Sequence, residues 1–201
     1  MNFIFITMLS WLTMFVGPTK SQDLNYQILF GDKQVGTLTV QPTNFKDDTF
    51  SITMEANMSF PLMDINSVAE AKYSNDKLLK ATNVQKVNGK VRESSKVTCN
   101  GDHYLVHVDK ESHTLREEVR YSVAMLYHFE PKGLKKVFSE RFGEFATIKE
   151  IAPNQYELET PDGKKNKYTY KNGICVKMQT NHMLSKVTFR LNPEDMPASG
   201  K

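Results

Sequence analysis

Phe50-Ser-Ile-Thr-Met-Glu-Ala-Asn-Met-Ser-Phe60 decides the fold. Phe50, Ile52, Met54, Ala56, Met58 and Phe60 alternate with polar Ser51, Thr53, Glu55, Asn57 and Ser59 without a slip. Successive side chains of a strand point to opposite faces, so this segment has one buried and one wetted face. On a helix the same pattern would spread its apolar groups around the whole cylinder.

The signature recurs on both sides. Tyr26–Gly31 and Val35–Val40 flank a compact loop at Asp32–Gln34, and Pro42–Asp48 reads as a longer link into the Phe50–Phe60 strand. After Phe60-Pro61, the strand Met63–Tyr73 keeps Ile65, Ser67, Ala69, Ala71 and Tyr73 on one face. Asn75-Asp76 turns the chain into Leu78–Val87. Asn88-Gly89 and Asn100-Gly101 bracket Val91–Cys99 and lead into Tyr104–Val108. Asn-Gly is the strongest short hairpin signal, because a type I′ turn needs positive φ at both central residues. Later strands are expected at Lys136–Arg141, Phe145–Ile151, Tyr156–Thr160, Lys167–Tyr170, Ile174–Asn181 and Ser185–Leu191, with turns at Pro161-Asp162-Gly163 and Asn172-Gly173. Tight turns imply antiparallel neighbours, since parallel pairing needs crossovers of a dozen or more residues. The expected fold is therefore all-β: a single antiparallel meander forming a β-barrel or strongly curved half-barrel, with one short helix or turn around 122–127. A β-sandwich is the alternative.

Ahead of the strands, Phe3–Val16 is apolar apart from Thr7, Ser10 and Thr13. It is shorter than the roughly 20 residues a membrane-spanning helix needs. Gly17-Pro18 breaks it, and Thr19 and Ser21 place small residues where a signal peptidase reads. Residues 1–21 read as a signal peptide cleaved after Ser21, which implies a periplasmic or secreted protein. An uncleaved anchor or a buried strand is the alternative, because the n-region carries no Lys or Arg. Residues 22–191 form one β domain and 192–201 a flexible tail. The net charge of +3 falls to +2 without Lys20. That is too mild to imply nucleic acid, and Lys72, Lys86, Lys96 and Lys177 sit on polar strand faces.

Cys99 shares an inward phase with Val91 and Val97, whereas Cys175 shares one with Lys177 and Gln179, so two free thiols are expected rather than a bridge. The sequon Asn57-Met58-Ser59 falls within a strand and reads as incidental. His103 and His107 lie about 13 Å apart on one strand, too far to share a metal. His113 and His182 stand alone in turn-like contexts. Asp47-Asp48 and Glu117-Glu118 are adjacent acids that diverge on a strand. No nucleophile elbow, phosphate loop or Cys/His cluster is present, so no cofactor or metal is expected and the reading leans away from an enzyme.

The interruption at 117–131 is the best functional candidate, since irregular segments on rigid scaffolds disproportionately carry function. Ser122–Tyr127 reads as a short helix or turn, and Pro131 ends the segment. Tyr127, Phe129 and Glu130, followed by Glu140 and Arg141, concentrate aromatics with both charge signs; inward Met54 and Met58, and Met178 with them, would offer adaptable thioethers. Tyr127, Phe129, Glu130, Glu140, Arg141, Met54 and Met58 are the candidate ligand-binding residues. The alternative is that Leu126, Tyr127 and Phe129 plug the barrel end as core.

The hairpin from Tyr26 and Ile28 through Gly31 to Val35-Gly36, the Leu126-Tyr127-x-Phe129-Glu130-Pro131 segment, Glu140 with Gly143 and Phe145, and Tyr168-x-Tyr170-x-Asn172-Gly173 resemble a family of exported bacterial proteins known only as a domain of unknown function. The resemblance spans the mature chain and implies no activity or binding residue. In architecture alone the chain is similar to periplasmic lipoprotein carriers, whose curved sheets hold acyl chains under a helical lid. Three readings follow. The first is a binding module for a hydrophobic small molecule or lipid, with 119–131 as lid. The second is an envelope scaffold with a protein partner. The third is an enzyme with dispersed groups, to which Tyr127, Glu130, Glu140 and Arg141 would belong.

Overall fold

The structure is a computed structural model that describes residues 22–46, 49–182 and 185–197. The expected signal segment and the Asp47-Asp48 pair lie outside these residues, as does the His182 side chain. Eight strands run from the N-terminal side: β1 (Leu24–Phe30), β2 (Lys33–Lys46), β3 (Thr49–Phe60), β4 (Met63–Ser74), β5 (Lys77–Val87), β6 (Lys90–Asn100), β7 (His103–Val108) and β8 (Glu111–Leu115). A short 3₁₀ helix, η1 (Val123–Tyr127), precedes β9 (Lys136–Ser139), β10 (Glu144–Ala152), β11 (Gln155–Glu159), β12 (Lys165–Lys171), β13 (Ile174–His182) and β14 (Ser185–Leu191).

All fourteen join one antiparallel sheet, in the order β8-β7-β6-β5-β4-β3-β2-β1-β14-β13-β12-β11-β10-β9. The all-β expectation holds, and there is no second sheet among the described residues to make a sandwich. The meander runs in two pieces, however. β1 pairs with β14, with Tyr26 opposite Leu191, so the first strand lies in the middle and the edges are β8 and β9.

Turn chemistry behaves as local conformation requires. Asn88-Gly89 and Asn172-Gly173 have positive φ at both residues, and Asn75-Asp76 does the same with no glycine. The Asn100-Gly101 turn sits one residue later than expected: Asn100 ends β6, and Gly101-Asp102 is the turn. Two strands are longer or less legible than their sequences suggest. β2 continues through Pro42, expected as loop; beyond Val40 it has β3 on one side only, so a proline is tolerated there. β8 carries His113, expected in a turn, and is an almost fully exposed edge with no alternation to read. At the C-terminal end, Asn192 and Asp195, expected in a free tail, are tied down. The Asn192 N–H donates to the Asn25 carbonyl and the Asn25 N–H to the Asp195 carboxylate, each at 2.8 Å.

Cys175 corrects its sequence phase. β12 and β13 slip register between Thr169 and Tyr170, so Tyr170 faces Cys175 while Thr169 faces Lys177. The bulge skips Val176 and turns Cys175 inward, where it is fully buried. Burial pushes its thiol up to about 12. Cys175 and half-buried Cys99 are both unbridged, as expected.

The sheet curls until the β9–β10 turn (140–143) meets the concave face of β6 and β7. A Cβ on Gly143 would stand 2.3 Å from Val106 Cγ1, and the residue has φ +66°, so close approach and backbone both require glycine. Ser95 Oγ donates to the Glu140 carbonyl across the same contact. No ladder among the described residues closes the barrel-like form; side chains of the β9–β10 turn and of β6 and β7 bridge it.

The segment between the edges caps one end. Val119, Ala124, Leu126 and Tyr127 are buried. Buried tyrosine hydroxyls need partners, and here they hold the cap from three strands. Tyr73 on β4 donates to Ser122 Oγ at 2.5 Å, and Tyr170 on β12 donates to the Leu126 carbonyl at 2.7 Å. Tyr104 on β7 accepts from the Val119 N–H at 3.2 Å. The same segment covers the β9 edge, where the Phe138 N–H donates to the Tyr121 carbonyl.

Candidate functional site

Inward residues of β3 grade from full burial at Phe50 and Ile52 to partial burial at Met54, Ala56, Met58 and Phe60. The gradient arises because the cap fills the sheet only at the Phe50 end. What lies beyond is a cavity in two adjoining chambers that share part of their walls. The outer is about 540 Å³ and opens among Phe30, Phe60, Met63 and Phe142. The inner is about 250 Å³ and ends on Val123 and Tyr127 of the cap and on Glu140. Met58, Gln85, Arg141, Met178 and Phe189 line both.

Five of the seven candidates read from the sequence, Met54, Met58, Tyr127, Glu140 and Arg141, converge on this space. Phe129 and Glu130 do not line it. Phe129 is 37% exposed and its carbonyl accepts from Tyr121. The Glu130 carboxylate takes a hydrogen bond from Tyr156 at 3.1 Å and pairs with Lys132 at 3.3 Å.

Charge inside the cavity is paired within the protein. Arg141 grips Glu93 with both ends of its fork, at 2.6 and 2.7 Å, the strong bidentate geometry of guanidinium and carboxylate. The Arg141 guanidinium also stands 5.0 Å over the Phe142 ring. At the rim, Lys164 pairs with Asp162 at 2.8 Å. Burial alone would raise the Asp162 carboxyl, but Lys164 and the Thr160 hydroxyl bring it down to about 2.

Glu140 is 2% exposed and has no cation partner among the described residues. Its Oε1 accepts from Ser122, which itself accepts from Tyr73, and from the Ala124 N–H at 3.1 Å. Burial raises its pKa above the carboxylate range, against the opposing effect of these donors. The folded chain then holds this proton to higher pH than the unfolded chain does. Its contribution to stability is therefore lost as pH rises from about 4.3, the ordinary glutamate value, through the folded value. Glu140→Gln, which keeps an acceptor for Ser122 and Ala124, should abolish that loss. Melts of wild type and variant from pH 4 to 8 should show the variant gaining on wild type. The gain should be about 1.4 kcal/mol for every tenfold by which the folded chain binds this proton more tightly than the unfolded one. A gap that moves in the opposite direction would mean that the donors stabilise the anion more than burial opposes it.

Glu93, Ser67, Asn83 and Gln85 were missed as site residues. Their signal was present: each is polar on a phase that carries apolar core residues elsewhere on its strand, Asn83 with Ala81 and Glu93 with Val97. Among the described residues no group of His, Cys, Asp and Glu is arranged to hold a metal.

Fold and cavity together define a barrel-like protein built of one curled antiparallel sheet with an open interior. The chain belongs to the family described as Domain of unknown function (DUF6134), whose model matches residues 26–192. A crystal structure of a β-barrel-like protein of Domain of Unknown Function DUF1849 from Brucella abortus is similar, with a TM-score of 0.54 and 10% identity, over 85% of this chain and 95% of that one. Identity that low speaks for the fold alone. No curated protein matches the chain.

Proposed function

We propose that this is an exported, non-catalytic binding module that holds a hydrophobic or lipid-like molecule inside its curled sheet. The cavity carries the reading: its outer chamber of about 540 Å³ has the size of small-molecule sites, which run from about 300 to 1,000 Å³. An eight-stranded barrel can be filled by its own side chains; fourteen strands with a cap at one end leave room beyond the cap. Met54, Met58 and Met178 supply walls that adapt to irregular apolar shapes. Export is supported by the apolar segment Phe3–Val16 and the small residues around Ser21.

The test is titration of the mature protein with N-phenyl-1-naphthylamine, an uncharged apolar fluorophore. Saturable binding is expected in wild type and in Asn57→Asp, whose side chain faces out. Met58→Asp places a carboxylate where both chambers meet and should weaken binding at least about tenfold. A wild type that binds no probe would overturn this reading. A contact surface for an envelope protein would then lead, favoured by Leu62, 92% exposed on the β3–β4 turn.

A further inference from the structure

The concave face of the sheet is two-sided in its chemistry. Register places Leu38, Ala56, Ser67, Gln85 and Glu93 in one row across β2 to β6. The next row towards the cap reads Val40, Met54, Ala69, Asn83 and Ser95. Both rows begin apolar and turn polar as they cross the sheet. The row beyond, Ile52, Ala71, Ala81 and Val97, is apolar throughout and fully buried. The sheet therefore has apolar residues where it needs only core, and a polar stripe where the inner chamber lies.

Ser67, Asn83 and Gln85 all line that chamber. None of these three side chains has a hydrogen-bond or ion-pair partner among the described residues, although Asn83 is only 7% exposed. Asn83 is buried and Ser67 and Gln85 are half-buried, so the polar atoms of the stripe stay open to a group that enters the chamber. Their neighbour Ser95 differs, being used by the Glu140 carbonyl. The ionisable groups around the stripe have partners too: Arg141 pairs with Glu93 and Lys164 with Asp162, and Glu140 Oε1 accepts from Ser122 and Ala124. The stripe itself offers a ligand only neutral groups: two carboxamides and one hydroxyl, each able to donate and accept.

We infer that the ligand is an uncharged amphiphile whose polar group carries both a hydrogen-bond donor and an acceptor, lying against Ser67, Asn83 and Gln85 with its hydrocarbon among Met54, Met178 and Phe189. The inference rests on the proposal that this cavity is the binding site. Fatty amides and monoacylglycerols have that chemistry. A fatty-acid anion or an alkylammonium ion does not, and would meet only charges that the wall already neutralises. Sites built to hydrogen-bond a group discriminate sharply against analogues that cannot complete the bonds.

Displacement of N-phenyl-1-naphthylamine from the mature protein by a twelve-carbon series tests the inference. Dodecanamide and 1-dodecanoylglycerol should bind at least about tenfold more tightly than dodecanoate or dodecylamine at pH 7. Gln85→Leu, at a half-buried position, and the double variant Asn83→Leu/Gln85→Leu should lose roughly tenfold or more in dodecanamide affinity relative to their own naphthylamine affinity. Equal or tighter binding of either charged compound to wild type overturns the inference and leaves the apolar module standing, and it needs no variant to fold. An unchanged ratio of the two affinities in Gln85→Leu and in a folded double variant overturns it likewise. Failure of wild type to bind the naphthylamine removes both.

Discussion

Ile52→Lys is expected to remove most of the protein's stability margin, while Thr53→Lys, one residue away, leaves it nearly intact. Ile52 is fully buried between Pro42 and Ala71 at the closed end of the sheet, where a lysine head cannot reach water. An unpaired buried ammonium joined to the loss of a packed Ile side chain should cost at least about 4 kcal/mol, against a total of about 5–15 for a domain. Thr53 faces the other way, between Gln41 and Glu70. A lysine there trades strand propensity for a favourable cross-strand pair with Glu70, and should stay within about 1 kcal/mol of wild type. Urea unfolding measures both. Matching midpoints would refute the inward assignment of the Ile52 phase.

The second large effect separates a plug from a lid. Tyr127 is 5% exposed, and its ring makes edge contacts with Tyr26 at 5.3 Å and Tyr168 at 6.3 Å. Phe129, two residues on, is 37% exposed and lines no part of the cavity. Truncating a packed aromatic costs about 3–5 kcal/mol, so Tyr127→Ala should lower the melting temperature steeply and Phe129→Ala only slightly. Tyr127 also forms part of the inner chamber's end, so a folded Tyr127→Ala protein should bind the apolar probe with altered affinity as well. If Tyr127→Ala melted like wild type, the segment would be a lid held by its ligand, and the sheet would be stable without it.

The candidate site was legible only in parts. Met54 and Met58 were visible as an inward row, and Tyr127, Glu140 and Arg141 as chemistry gathered where the strand period fails; all five line the cavity. Phe129 and Glu130 were drawn in by adjacency to Tyr127. The chain at 128–130 leaves the cap, so nearness in sequence did not become nearness to the cavity. Glu93 went unseen because its importance lies in Arg141, 48 residues away, and the Gln85, Asn83 and Ser67 stripe because one polar residue per strand looks like ordinary variation until the strands are aligned.

By itself, the sequence determined what is local: most of the strands and their phases, the positive-φ turns at Asn88-Gly89 and Asn172-Gly173, the break around 119–131, and hence an all-antiparallel sheet that must curl to bury one face. These follow from side-chain period and backbone sterics within a few residues. Tertiary structure decided what depends on partners far away. β1 pairs with β14 across the length of the domain, and the two ends of the sheet meet through Gly143, Ser95 and Arg141 rather than through backbone bonds. One bulge opposite Tyr170 turns Cys175 from the wetted face to the core. Register between distant strands is set by the sum of many contacts, and a shift of one residue reverses every side chain after it. No local pattern carries that information, which is why the cavity's two-sided wall became visible only when the strands stood side by side.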